Sequence, residues 1–168
     1  EAPSPRHVIY RSLWQLLQPL PESERRKVLN ELLAWASAEP EGRPACRILT
    51  QQEVVALARG GLVEVGAHTV THPVLSTLPT ALQRDEIQQS KASLEKILGR
   101  PVTSFAYPYG NYSAETIPIV REAGFICACA TLTGVVGGDT DRFQLPRVQI
   151  EDWDGEEFSR KLSLWFDS

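Results

Sequence analysis

Methionine is absent from these 168 residues, and cysteine and histidine occur only three times each. A sparse, odd cysteine count without framework spacing excludes a disulfide-stapled scaffold. No apolar run approaches the roughly 20 residues that a membrane-spanning helix needs, and no basic-then-apolar leader opens the chain. A basic surplus is missing too. The formal net charge is −4 and no lysine- or arginine-rich stripe stands ready to neutralise phosphates, so nucleic acid is excluded as the default partner. Internal repeats and low-complexity tracts are lacking as well. The missing Met and the opening Glu1-Ala2-Pro3-Ser4-Pro5 read as the interior of a longer chain, which leaves compartment and oligomeric state open.

What is present is ordinary globular composition, 42% hydrophobic and 23% charged, with enough chain to bury a core. Apolar spacing predicts helices over 11–18 and 22–37, followed by a proline- and glycine-rich loop over 39–44. Together these make 1–49 a helical segment without a chemical motif, in which His7 reads as a surface residue. The rest, 50–168, alternates. Thr50-Gln51-Gln52-Glu53 is a capping box opening a helix that Gly60-Gly61 closes, and a short buried strand over 62–65 follows. A helix from Pro79 to Gly99 leads to a strand over 102–106, and a helix capped by Ser113 leads to a strand over 125–130. A last strand over 145–150 precedes a helix capped by Asp154. This rhythm predicts an α/β fold of parallel strands, buried on both faces, with outer helices. The glycine-rich stretch 132–141 lacks the Lys and the strand-to-helix setting of a phosphate loop and reads as a plain loop. Cys127 and Cys129 share one strand face; the spacing admits a metal clip, but small core thiols are the plainer reading.

In parallel α/β architectures functional groups gather beyond the C-terminal ends of strands. Three such ends carry chemistry here. The first bears His68 and His72, whose four-residue spacing at a strand end can turn two imidazoles toward one metal ion. The plain alternative is one exposed and one core histidine paired by chance. The second end bears Tyr107-Pro108-Tyr109-Gly110, which alone is only a rigid proline turn. The third bears Arg147 with Asp152 and Trp153, where a surface salt bridge is the plain alternative for Arg147.

His68-Thr69-Val70-Thr71-His72-Pro73 resembles the H-[ST]-x-x-H-P motif of polysaccharide deacetylases, the NodB homology domain of carbohydrate esterase family 4. Phe105-Ala106-Tyr107-Pro108-Tyr109-Gly110 is similar to that family's third motif, and Glu122-Ala123-Gly124-Phe125 to the helix-to-strand joint after it. The resemblance runs from about Thr50 to Phe166. It implies a partial or distorted (β/α) barrel and a hydrolase that removes acetyl groups from an N-acetylated polysaccharide with metal-activated water. It implies His68 and His72 as ligands of a divalent metal, zinc with cobalt or manganese as substitutes, and the Tyr109 backbone N–H as an oxyanion donor. Arg147 and Asp152 join the catalytic set by resemblance, and Tyr107, Pro108, Gly110 and Trp153 the substrate-binding set. Thr69 and Thr71 read as turn and packing residues.

The family's Asp-Asp motif has no counterpart in 1–61, its late general-acid histidine none after His72, and Ala106 stands where an arginine usually opens the third motif. Truncation ahead of Glu1 accounts for the missing aspartates, with 11–44 as a helical insertion. Two rival readings stay open: a catalytically impaired glycan-binding or scaffolding domain on the same fold, and another metal hydrolase.

Overall fold

The computed structural model describes residues 4–40 and 44–166; residues 1–3 of the opening stretch and 41–43 of the expected loop lie outside the described residues. Helices form where caps and periodicity allow them. Ser4 and His7 close a capping box ahead of Pro5, so α1 (Pro5–Leu17) begins earlier than residue 11. It pairs in sequence with α2 (Glu22–Trp35) as expected. α3 (Gln51–Arg59) starts on the predicted box: Glu53 N donates to Thr50 Oγ1 at 3.3 Å, and Thr50 N donates to Glu53 Oε2 at 2.8 Å. Arg47 adds two hydrogen bonds to Glu53, at 2.6 and 2.8 Å. Those bonds, Arg47's first and Thr50's next, hold the Glu53 carboxyl down at about 2. α4 (Thr80–Leu98) ends on Gly99 at φ +67°, a left-handed cap. α5 (Thr116–Glu122) is shorter than expected, with Ser113 Oγ accepting from the amides of Glu115 and Thr116 just ahead of it. α6 (Gly155–Phe166) follows Asp154, whose Oδ1 accepts from Glu157 N at 2.8 Å.

Two strands, β1 (Ser104–Ala106) and β2 (Cys127–Cys129), pair in parallel with Phe105 opposite Ala128. Ala67 bridges to Phe105 on the outer side of β1, and Leu145 bridges to Cys129 on the outer side of β2, both in parallel. Four tracks therefore run side by side in the order 67, β1, β2, 145, the α/β arrangement expected. Period two sends Phe105, Tyr107, Ala128 and Ala130 to one side, where they are buried with Ile87 of α4 and Ile119 and Val120 of α5. Phe105 anchors this core, its ring centroid 5.3 Å from those of both Tyr107 and Phe125. Among the described residues no helix is long and apolar enough to cross a membrane.

Three expectations need correction. The last strand, expected over 145–150, is reduced to a single bridge at Leu145. Residues 62–65 form no buried strand: Leu62 is 96% exposed, and the first backbone hydrogen bonds to β1 come only at Ala67. Nor are the strands buried on both faces. α4 and α5 pack on the Phe105 side, so Ser104, Ala106, Cys127 and Cys129 on the opposite face are only half-buried, and the two thiols are not core residues. Partial burial, and then the neighbouring Cys129, still push the Cys127 thiol up.

Truncating Phe105→Ala should cost about 3–5 kcal/mol, as for large-to-small changes in packed cores; urea unfolding reads it, and a loss below about 1 kcal/mol would refute its anchoring role. Glu53 has a folded pKa of about 2 against an ordinary 4.5. Its contribution to α3 should be full above the ordinary value and fade as pH falls toward 2. Carboxyl NMR titration checks this, and an unshifted Glu53 would contradict it.

Candidate active site

The site grows from the point where the first track meets β1. Ala67 N donates to Ser104 O and Ala106 N donates to Ala67 O, both at 2.9 Å. The approach is close enough that a Cβ on Gly66 would lie 2.7 Å from Ser104 Oγ and 3.1 Å from Ser104 O, so a larger residue there would force the Ser104 side chain to move. His68 follows directly, with its Nδ1 2.7 Å from Ala106 O. A carbonyl can only accept, so Nδ1 carries a proton, and Nε2 is the nitrogen left with a lone pair in the neutral ring.

From His68 the chain doubles back in a strained loop. Thr69 and His72 both sit in left-handed backbone, at φ +63° and +57°, where side chains are disfavoured. Thr69 Oγ1 donates to His68 O at 2.6 Å and accepts from His72 N at 3.1 Å, bracing the turn from inside. Glu86 of α4 braces it from below. Its Oε2 accepts from Val70 N at 2.7 Å and Thr71 N at 2.9 Å, while Oε1 accepts from Thr71 Oγ1 at 2.6 Å. Arg25 of α2 donates to Thr71 O at 3.0 Å from the other side. The result sets the His68 and His72 rings edge to face, centroids 4.7 Å apart. Burial first, and then the His68 charge, push the His72 imidazole below its ordinary value, which favours the neutral form that a metal ligand needs.

The turn after β1 supplies the opposite wall. Tyr109 at φ +57° places its ring against His72, centroids 4.5 Å apart, and remains 38% exposed. Gly110 at φ +65° is held so close that a Cβ would overlap the Thr131 side chain. Tyr107 and Pro108 are buried and support this turn from beneath rather than lying open to a ligand; Tyr107 Oη donates to Phe143 O at 2.9 Å, and burial pushes its phenol up. Trp14 of α1 reaches Tyr109 edge-on, centroids 6.1 Å apart.

The structure thus brings His68, His72, Tyr109 and Gly110 together. Arg147 is fastened at the end of β2, Nε donating to Ala130 O at 2.7 Å. Asp152 is exposed, and the Trp153 ring packs under Lys161 and against Trp165 of α6. The imidazole pair suits two positions of a zinc-type donor set. Among the described residues no third His, Cys, Asp or Glu joins it. Sequence reasoning missed Glu86, Arg25 and Trp14. The signal for Glu86 is its position three residues after Gln83 and one before Ile87, an acid on the buried stripe of α4.

Residues 32–128 match the family model described as polysaccharide deacetylase. No curated protein matches the sequence. Among solved structures, the chain is similar to a Streptococcus pyogenes deacetylase in complex with acetate, at 24% identity and a TM-score of 0.64, over 70% of this chain and 52% of that one. It is similar to a Bacillus cereus polysaccharide deacetylase at 25% identity and a TM-score of 0.62, over 71% and 38%. It is also similar to IcaB from Ammonifex degensii at 23% identity and a TM-score of 0.61, over 77% and 57%. The chain therefore spans between about two-fifths and three-fifths of the length of these structures.

Replacing Glu86 by Ala strips the acceptor from two loop amides and one hydroxyl, which should cost about 1–3 kcal/mol and disorder the His72 turn. Chemical unfolding and the imidazole NMR signals of His68 and His72 read both effects. Unchanged imidazole signals would show that the loop holds its shape without the carboxylate.

Proposed function

The chain belongs to the polysaccharide deacetylase family, and on that premise we propose that it hydrolyses acetyl groups on an N-acetylated glycan at the His68–His72 site with a divalent metal, zinc foremost. The observation that carries this reading is the imidazole pair itself: edge to face, with Nδ1 of His68 committed to Ala106 O and His72 held toward its neutral form. A divalent metal, when bound, supplies Lewis acidity toward the acyl oxygen and activates water at neutral pH.

The protein's own groups have separate tasks. Nε2 of His68 is offered by the Ala106 carbonyl, which fixes both tautomer and ring plane. Thr69 and Glu86 hold His72 against backbone strain, so little reorganisation is needed when substrate arrives. The Tyr109 N–H, turned by a left-handed residue beside His72, is assigned to the oxyanion that develops on the acetyl carbonyl. Arg147 is assigned to orienting a carboxylate at the end of β2. A second reading, glycan binding without hydrolysis, is favoured by one observation: no third metal-ligating side chain joins the pair among the described residues.

Acetate release from N-acetylated oligosaccharides, assayed with zinc, cobalt and manganese, separates the two. Release that disappears in His68→Ala is the expected result. Oligosaccharide binding without release under any of the three metals would replace hydrolysis with the binding reading.

A further inference from the structure

The four rings His68, His72, Tyr109 and Trp14 form a continuous row, with successive centroids 4.7, 4.5 and 6.1 Å apart. The last member comes from α1, a helix the sequence marks with no chemistry. Trp14 is 42% exposed despite its contact with Tyr109, so part of the indole is open to solvent. Four residues earlier on the same helix stands Tyr10, 68% exposed. An α-helix rises 1.5 Å per residue, so Tyr10 and Trp14 share one face about 6 Å apart along the axis. Leu17, three residues beyond Trp14 on that stripe, is half-buried, so the stripe passes from packed at its C-terminal end to open at its N-terminal end. Aromatic side chains left half open beside a site, with an apolar ring and a polar edge, are suited to the faces of sugar rings, which are likewise apolar on the face and polar at the rim.

We propose that the Tyr10–Trp14 face of α1 is an extended glycan-binding track continuous with the His68–His72 site, seating the sugar units that flank the N-acetylated one. This rests on the polysaccharide reading above. It makes chain length, rather than the acetyl group alone, a determinant of recognition: a monosaccharide reaches only the histidine end, whereas an oligomer also covers Trp14 and Tyr10. Tyr109 joins the two regions, its ring in contact with both His72 and Trp14.

The test is titration of the whole chain with N-acetylglucosamine and its linear tetramer, followed by calorimetry and NMR, for the native protein, Trp14→Ala, Tyr10→Ala and His72→Ala. Circular dichroism of each variant first establishes that it is folded. The native protein should bind the tetramer more tightly than the monomer. Trp14→Ala should weaken the tetramer by roughly three- to tenfold, the range expected for one aromatic contact, and leave the monomer unchanged. Trp14→Phe, which keeps a ring, should recover most of the loss. Equal tetramer affinity in the native protein and Trp14→Ala overturns the track while leaving the proposed function standing. No binding of either sugar by the native protein overturns both. If Trp14→Ala instead abolishes self-association in sedimentation and spares the tetramer, the face belongs to a second copy of the chain and the track is overturned.

Discussion

Ala67 lies beside Phe105 with its amide on Ser104 O and its carbonyl on Ala106 N, and the rest of the molecule depends on this pairing. The pairing ends one residue before His68, so the ring of that residue emerges at the level of Ala106 and finds its carbonyl. The same register carries Phe105 into the core and sends Tyr109 out beyond the strand end. A slip of one residue would invert every side chain of β1, exposing Phe105 and burying Ser104. Gly66 favours the register from the other side, because a Cβ there would crowd the Ser104 hydroxyl and carbonyl.

Beyond this anchor, the site is held by polar bracing against backbone strain. Thr69, His72 and Tyr109 all occupy the left-handed region without being glycine, and such conformations persist only where surroundings over-determine them. Around Thr69 and His72 the determinants are a hydroxyl and a carboxylate; around Tyr109 they are the buried Pro108 beneath and Thr131 across from Gly110. Glu86 and Arg25 meet the same residue, Thr71, from two different helices, so the loop is the joint at which α2 and α4 communicate with the imidazoles.

Much of this was legible in the chain. The Thr50 box, the Gly99 cap and the parallel rhythm follow from local rules, and the structure obeys them. His68, His72 and Tyr109 were legible as cargo at strand ends. What could not be read is long-range. Trp14 and Tyr109 stand 95 positions apart in sequence, and Arg25 lies 46 from Thr71; neither contact leaves a periodic trace. The short strands were overcalled for a related reason. Valine-rich runs such as Leu62-Val63-Glu64-Val65 have strand propensity, but a strand exists only where a neighbour accepts its amides, and that neighbour begins at Ala67.

The glycine-rich stretch between β2 and the Leu145 track is closed at its base. Arg147 N donates to Leu132 O, Ala128 N to Arg142 O, and Tyr107 Oη to Phe143 O. The segment is thus tied off like the neck of a bag, its two ends fixed by bonds that do not depend on the length between them. Doubling such a loop costs only about 0.6 kcal/mol in closure entropy. This stretch is therefore where the fold tolerates inherited novelty: insertions there can reshape the rim of the molecule over generations without disturbing the strands that hold the site.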